Sequence, residues 1–401
     1  MILPFDISEY AERLERVKQS MEDEGVEVLC ITNPSNMNYL SGYDAWSFYV
    51  HQMLIVVAEE NQPYWIGRSQ DANGAKISTW LDDHHILFYP DDYVQSKTKH
   101  PMDFIAGILR SWGYQNRRIG VDMDNYYFTA LCFERLKAGL PDAVLKDTTS
   151  LVNVVRMIKS PKEITYMKNA AKIVEKAMQT GVSAIRPGVR ENDVVAKVYH
   201  SQLTGTDEFG GDYPAIVPLM PSGIKTSAPH LTWSDGQYQE GNLVILELAG
   251  CYRRYHSPLA RTVKIGVPTQ REKDITEAVI EGIDAVLNTI KPGVTCEEAE
   301  AVWRKTIGKH GYVKNDRIGY SVGLSYPPDW GEHTASIREG DQTVFQPNMT
   351  FHFIPGIWQE DCGIEISEAI VITENGCETL ANYPRGLLSA YSGEGGVHGG
   401  F

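Results

Sequence analysis

The sequence predicts an N-terminal α/β domain followed by an α+β domain, and two observations lead to this fold class. Apolar runs of strand length alternate with helix-like stretches through residues 1–155, which is typical of α/β domains. From residue 156 to residue 390, long helical patterns are interleaved with longer β-runs, which indicates an α+β domain. A chain of 401 residues is long enough for about two or three domains. The last segment, 391–401, is rich in glycine, and we expect it to be mobile.

The first domain is predicted to begin with a helix. Residues 8–25 have the apolar spacing of an amphipathic helix, and Gly25 is placed to end it. The apolar run 26–32 then predicts a buried strand. Further strands are predicted at 51–59, 62–67 and 119–123, and a further helix at 125–139.

The second domain is also predicted to begin with a helix. Ser160 is a good helix cap, and Pro161 suits the first helical position. Helices are predicted at 161–185, 192–205, 271–290 and 296–311, and pairs of strands within 242–266 and 349–376. Residues 319–333 are rich in Gly, Pro, Tyr and Trp, so we expect a loop there, with aromatic rings that wall a pocket.

The composition limits the class of partner. The chain has 37 Lys and Arg against 52 Asp and Glu, a net charge of −15, which disfavours nucleic acid but allows a small zwitterionic ligand. No apolar run approaches the roughly 20 residues of a membrane span, and no signal peptide is recognisable, so we expect a cytoplasmic protein. The 6 cysteines form no CxxC pair, so neither a zinc ribbon nor a disulfide framework is indicated.

One carboxylate interrupts a strand that is otherwise apolar. Glu247 lies in the run LVILELAG, where Leu243, Ile245 and Ala249 would share its face. A strand that is apolar on both faces is usually covered on both, and a buried carboxylate is costly unless it is paired or used. A functional role for Glu247 is therefore favoured over a strand-edge position that points to solvent.

Three other groups of residues allow both a functional and a structural interpretation. His230 follows a proline in a loop, and it is either a catalytic group or a histidine that packs or titrates in solvent. The aromatic cluster 43–49 is either a packing corner or part of a ligand pocket or subunit contact. Glu365, in GIEISEA, shares a strand face with Ser367 and is, taken alone, an ordinary strand residue.

The order of these segments resembles the creatinase and methionine aminopeptidase family, whose catalytic domain has the pita-bread fold. The resemblance rests on RMIKSPKEI, the loop histidine, the strand carboxylate with an Arg-Thr pair downstream, GYSVGL, IPGIW and GIEISEA. It covers nearly the whole chain and includes a creatinase-type N-terminal domain. Longer segments, among them GGDYPAIVPL, SAPHLTW, AGCYRRYH and GLSYPPDWGE, resemble a member of the family that opens a cyclic amidine.

The resemblance also implies that the metals of this family have been lost. Metal-dependent members hold two cations with two aspartates, one histidine and two glutamates. The corresponding positions in this chain are Glu247, Pro258, Tyr320, Ile354 and Ser367. Proline and isoleucine side chains offer no ligand atom, whereas a hard divalent cation needs several oxygen or nitrogen donors. We therefore expect neither a metal nor another cofactor.

The implied activity is the hydrolysis of a small zwitterion that contains a cyclic amidine. Glu247 would attack the amidinium carbon or activate water, His230 would shuttle a proton to the departing nitrogen, and Tyr320 would hydrogen-bond the substrate or intermediate. Aromatic side chains would stack on the cationic ring of the substrate. The substrate contacts are expected to come from Trp46, Phe48, Tyr49, Tyr213, Tyr326, Asp329, Trp330, His352 and Glu365.

Analogy with creatinase-like dimers implies a homodimer in which the N-terminal domain reaches the partner's active site, so that Trp46 and Phe48 would serve the neighbouring subunit. Three other functions stay open. A creatinase-like amidinohydrolase would suit the electrostatics, although a catalytic carboxylate of creatinase falls on Ala260. A metallopeptidase conflicts with the missing ligands, and a protein that only binds conflicts with the retained Glu247 and His230.

Overall fold

The computed structural model describes residues 3–390, and the chain divides into two compact units, Met1–Arg156 and Met157–Phe401. The glycine-rich segment predicted to be mobile, 391–401, lies outside the described residues. Within the described part of the chain, no helix combines the length and apolar character needed to cross a membrane.

The N-terminal unit is an α/β domain, as predicted. Its helices are α1 (Ile7–Asp23), α2 (Pro34–Ser41), α3 (Ala72–Ser78), α4 (Pro101–Ser111), α5 (Ala130–Gly139) and α6 (Leu151–Val155). Its strands are β1 (Val28–Ile31), β2 (Met53–Val57), β3 (Tyr64–Arg68), β4 (Ile86–Tyr89), β5 (Arg118–Val121) and β6 (Val144–Asp147). They form one sheet in the order β4-β3-β2-β1-β5-β6, in which β1 is antiparallel to β2 and parallel to β5.

The central strands of this sheet are apolar on both faces because helices cover both. Leu29 and Ile31 of β1 pack in one core with α1, while Val28 and Cys30 pack in a second core with α4 and α5. The edge strands β4 and β6 were not predicted from the sequence. Strand β6, VLKD, has no continuous apolar run, and the apolar run of β4, ILFY, is only 4 residues long, too short to distinguish a strand from other structure.

The C-terminal unit is an α+β domain, also as predicted. Its helices are α7 (Pro161–Ala184), α8 (Glu191–Thr204), α9 (Gln270–Leu287) and α10 (Cys296–Gly308). Its strands are β7 (Leu243–Tyr252), β8 (Tyr255–Ile265), β9 (Gly319–Tyr326), β10 (Asp329–Ile337), β11 (Thr350–Phe353), β12 (Gly356–Trp358), β13 (Gly363–Glu365), β14 (Glu368–Ile372), β15 (Cys377–Thr379) and β16 (Leu388–Ala390). The main sheet runs β15-β14-β11-β9-β8-β16, with β7 paired to β8 and β10 paired to β9.

Strands β7 and β8 form a long, buried antiparallel hairpin on which α7 packs. Val244, Leu246 and Leu248 face the core shared with α7 and α8, so Glu247 points to the opposite face of the strand. The close approach of α7 requires Gly250, because a Cβ atom there would lie 1.9 Å from the carbonyl oxygen of Ala170. The hairpin therefore presents Glu247 from a rigid, fully covered element.

Two local predictions in this unit have different outcomes. The start of α7 is confirmed, since the Ser160 hydroxyl accepts the backbone N–H of Glu163 and Pro161 occupies the first turn. The expected loop at 319–333 is wrong, because these residues form β9 and β10. The Gly and Pro content disfavours strands, but pairing of β9 with β11 and β10 supplies the backbone hydrogen bonds that make this segment extended.

Candidate active site

Glu247 is a buried carboxylate with no protein partner. It lies opposite Ala260 in the hairpin, and its backbone N–H and C=O both bond to Leu219. The residue is only 6% exposed, and its carboxylate makes no hydrogen bond to any residue in the described range 3–390. Burial raises the pKa of Glu247 to about 7. A carboxylate left without partners in this way is available to a ligand.

A second buried carboxylate, Glu365, stands near the first. Its backbone N–H donates to the Thr262 hydroxyl at 2.8 Å, and that hydroxyl donates to the Glu365 carbonyl at 2.9 Å. The side chain is 2% exposed, and no residue in the described part of the chain bonds its buried Oε1 atom. Burial and the charge of Glu247 raise the pKa of Glu365 well above its ordinary value, while Lys314 opposes them.

A hydrogen-bond relay lies beside these carboxylates and connects residues of four strands and the 366–367 link. Tyr320 and His352 are opposite one another in the β9–β11 pair, with Tyr320 Oη 2.9 Å from His352 Nδ1. His352 Nε2 lies 2.8 Å from Ser367 Oγ, which accepts the backbone N–H of Ala260 at 2.7 Å. The indole N–H of Trp330 donates to Tyr320 Oη at 2.7 Å.

The direction of the protons in this relay follows from the available acceptors. Ser367 is fully buried, and among the described residues the acceptor within reach of its hydroxyl proton is His352 Nε2. Leaving that hydroxyl proton unbonded would be costly, so Ser367 donates to Nε2 and His352 carries its own proton on Nδ1. Burial lowers the pKa of His352 to about 3, so the ring is neutral. The Nδ1–H therefore donates to Tyr320.

Tyr320 is consequently fixed as a donor. Its oxygen already accepts two hydrogen bonds, from Trp330 and His352, so its own proton is directed elsewhere. Burial and the charge of Glu247 raise its pKa well above 10, which keeps the phenol protonated. The hydroxyl is thus prepared to donate to a carboxylate, a ligand or a developing negative charge near Glu247.

Two cations that the sequence analysis did not select border this group. Lys314 Nζ lies 4.1 Å from the centre of the Trp358 ring, and burial lowers its pKa. The Arg317 guanidinium lies 4.5 Å from the centre of the Tyr320 ring. Both belong to the polar segment before β9, which offers no pattern that would distinguish them from solvated residues.

His230, the predicted proton shuttle, has a different environment. It is exposed, has a positive φ of 69° and follows the 3-10 helix Gly223–Ser227. Within residues 3–390, no hydrogen bond or electrostatic effect on the pKa of Glu247 connects the two side chains. Its role as a proton shuttle stays a prediction.

Several residues predicted to contact substrate instead have protein partners. His352 is fully buried with both ring nitrogens bonded, and Trp330 is fully buried with its indole N–H donated to Tyr320, so the polar atoms of both serve the relay and their substrate contacts stay predictions. Tyr213 and Tyr326 pack on the Arg254 guanidinium, at 3.7 and 4.6 Å from their ring centres. This cation covers one face of each ring, and the substrate contacts predicted for the two tyrosines stay predictions.

Asp329 is also engaged within the protein. Its Oδ2 lies 2.6 Å from His333 Nε2, and its Oδ1 accepts the backbone N–H of Gly331. These two bonds and nearby positive charge outweigh burial and lower the pKa of Asp329, so it is an ionised group of the β9–β10 turn.

The aromatic residues predicted to line a pocket lie in the N-terminal unit. Trp46 and Tyr49 are 57% and 62% exposed. Phe48 packs between Trp46 and Tyr127, at ring distances of 4.8 and 5.7 Å. Exposure of two large rings on one segment is unusual for a packing corner and is compatible with a contact surface.

The donor atoms at the family's metal positions do not fit two cations. Pro258 and Ile354 have no donor, and the oxygens of Tyr320 and Ser367 already serve the relay. Glu247 alone offers a free carboxylate among these positions. One unengaged carboxylate is too few for a hard divalent pair.

A different group of candidate ligands occurs in the N-terminal unit. Atoms of His51, His100 and Cys132 lie within 4.8 Å of one another. His100 Nδ1, however, already accepts the N–H of Met102 at the start of α4, and burial raises the pKa of the Cys132 thiol. The histidine is thus used as a helix cap, and the thiol favours its protonated form, which binds metals poorly.

Comparisons with known proteins agree with this architecture. Residues 165–374 match the model of Metallopeptidase family M24, and residues 13–158 match that of the Creatinase/Prolidase N-terminal domain. An ectoine hydrolase of Halomonas elongata is 46% identical over 96% of this chain and 98% of its own length. A Xaa-Pro dipeptidase of Pyrococcus horikoshii is 31% identical over 64% of this chain and 71% of its own.

Solved structures show the same two-domain fold. The prolidase from Pyrococcus horikoshii superposes with a TM-score of 0.79 at 25% identity, covering 94% of this chain and 100% of that one. The prolidase from Pyrococcus furiosus gives 0.77 at 26% identity, covering 92% and 100%. The chain is therefore a hydrolase that belongs to metallopeptidase family M24, with the creatinase/prolidase type of N-terminal domain.

Proposed function

We propose that this protein hydrolyses ectoine, opening its cyclic amidine to an N-acetylated diaminobutyrate. The observation that carries the proposal is the buried carboxylate of Glu247, which has no partner among the described residues. An amidinium carbon shares its positive charge between two nitrogens, so it is electrophilic without a metal. The identity shared with the ectoine hydrolase of Halomonas elongata over almost the whole chain supports this substrate.

In the proposed reaction, Glu247 binds the amidinium and either attacks its central carbon or deprotonates a water that does. The Tyr320 hydroxyl, aimed by the relay, donates a hydrogen bond to the substrate or to the negative charge that develops during attack. His230 exchanges protons with solvent, a role compatible with its exposed position.

The direct test is to incubate the protein with ectoine and, separately, with creatine. We expect nuclear magnetic resonance to show loss of the ectoine ring signals and growth of an acetyl amide, with creatine unchanged. Creatine turnover would favour a creatinase-like amidinohydrolase. If the protein hydrolyses neither compound, the proposed function is wrong.

We also propose that turnover needs no metal, because the donor atoms at the family's metal positions are missing or engaged. The activity is expected to persist in a chelator, and elemental analysis is expected to find far less than one transition metal per chain. Stoichiometric metal together with activity that the chelator abolishes and added metal restores would contradict this prediction.

We further propose a cytoplasmic homodimer in which Trp46 and Phe48 complete the site of the other subunit. All 6 cysteines are free, which suits a reducing compartment. Light scattering should give a dimer, and mixing inactive Trp46→Ala with inactive Glu247→Ala should restore part of the activity through hybrid dimers. A fully active monomer would contradict the prediction.

A further inference from the structure

We propose that Glu365 is the catalytic acid of ring opening, and that it shares a single proton with Glu247 in the resting enzyme. This inference rests on the proposed hydrolysis of ectoine. It assigns the proton that leaves with the ring nitrogen to a buried group instead of to the exposed His230.

Strand β8 brings the two carboxylates to one face. Glu247 is opposite Ala260, and residues opposite one another in an antiparallel pair project to the same side of the sheet. Thr262 is two residues along β8, so its side chain projects to that side as well. Because the Thr262 hydroxyl holds both the N–H and the C=O of Glu365, that residue is anchored over the same face as Glu247.

The surroundings of Glu365 fit a protonated acid better than a carboxylate. Its Oε1 is buried and accepts no hydrogen bond from the described residues, whereas a buried charge needs donors. Two buried carboxylates on one face of the sheet, each of which acts on the other's charge, do not ionise together readily, so one retains a proton. Lys314 lowers the pKa of Glu365 but does not reverse the rise caused by burial and by Glu247.

The proposed step balances in atoms and charge. An oxygen of Glu247, or of a water that it deprotonates, bonds to the amidine carbon, and one ring C–N bond breaks with its electron pair leaving on nitrogen. Glu365 gives its proton to that nitrogen and becomes a carboxylate. Where Glu247 itself attacks, water then bonds to the same carbon and the bond from Glu247 to that carbon breaks, which returns the carboxylate. In either route water supplies the oxygen of the acetyl group, and of its two protons one restores Glu365 and the other ends on the new amine.

The test compares four variants of the full chain with the wild type. Glu365→Gln keeps the shape but cannot release a proton, so kcat is expected to fall by about 10²–10⁴-fold with a smaller change in KM. Glu365→Ala is expected to recover part of this loss when formate is added, because a small acid can occupy the vacated space. His230→Ala is expected to cost less than Glu365→Gln.

Glu300→Gln is the matched control, because it also neutralises a buried glutamate of the C-terminal unit, one that lies on α10, pairs with Arg304 and has no electrostatic effect on the pKa of Glu247 or Glu365. It should retain wild-type kcat. Infrared spectra provide a readout that does not need turnover: a protonated carboxyl band in the wild type should vanish in Glu365→Gln and persist in Glu300→Gln.

The outcomes separate the two proposals. Near-normal turnover by Glu365→Gln, or a loss in Glu365→Ala that formate does not relieve, would overturn the acid role and leave ectoine hydrolysis standing. A wild type that does not open ectoine would overturn both the function and the acid role, whatever the variants do.

Discussion

Glu247→Gln is expected to reduce ectoine turnover by more than about 10⁴-fold while leaving the fold intact. Glutamine has the same shape and similar hydrogen-bonding capacity, so the change removes the charge and the nucleophilic oxygen alone. Because the amidinium is cationic, binding should also weaken. Kinetics and calorimetric titration with ectoine would measure the two effects.

The same variant should alter the pH dependence of stability. The pKa of Glu247 is raised to about 7, so its contribution to stability is complete below the ordinary glutamate pKa and is lost as the pH rises toward 7. As the pH rises from roughly 4.5 to 8, which spans the ordinary and the raised pKa of Glu247, the free energy of unfolding of Glu247→Gln should therefore fall less than that of the wild type. Wild-type turnover in Glu247→Gln would show instead that the carboxylate is structural.

Lys159→Met is expected to destabilise the C-terminal unit by about 3–5 kcal/mol. Lys159 Nζ lies 2.6 Å from Glu332 Oε2, and both side chains are almost completely buried. Removing the cation leaves a carboxylate in a place that water hardly reaches. Urea unfolding followed by circular dichroism would measure the loss.

Two companion variants make this prediction specific. Lys159→Met with Glu332→Leu removes both charges and should recover most of the lost stability, because the main cost of the single change is a buried negative charge that has lost its cation. Lys309→Met breaks an exposed pair with Glu281 in the same unit and should cost no more than about 1 kcal/mol. Equal losses in Lys159→Met and the double variant would refute the argument.

Sequence reasoning was most successful where the signal is local. The helix predicted at 161–185 is α7, Pro161–Ala184, because a capping box and a proline mark its start and an apolar stripe runs along it. The two strands predicted within 242–266 agree with β7 and β8, because their apolar runs are also a local signal. Sequence reasoning failed at 319–333, because this segment is extended only through its pairing with strand β11, which is distant in the chain.

The site shows the same division. Glu247 was recognisable because a charge in an apolar run needs no knowledge of tertiary structure. The place of His352 in the relay depends on its register opposite Tyr320 across β9 and β11, which the sequence alone does not show. His256 was not selected at all, although it is a buried group of β8 whose Nε2 accepts the N–H of Ala215. No local signal marks it, because β8 begins with YHSP and becomes apolar only further along the strand.

The relay of Ser367, His352 and Tyr320 also constrains how this sequence can evolve. Substitution of Ser367 by glutamate would deprive His352 of its donor and add a carboxylate to the relay, yet would not complete a metal site. Histidine at position 320 would likewise remove the acceptor that Trp330 uses. Each single substitution toward the family's metal ligands would therefore break the relay before a set of metal ligands is complete, so we expect such a variant to lose activity without gaining metal affinity.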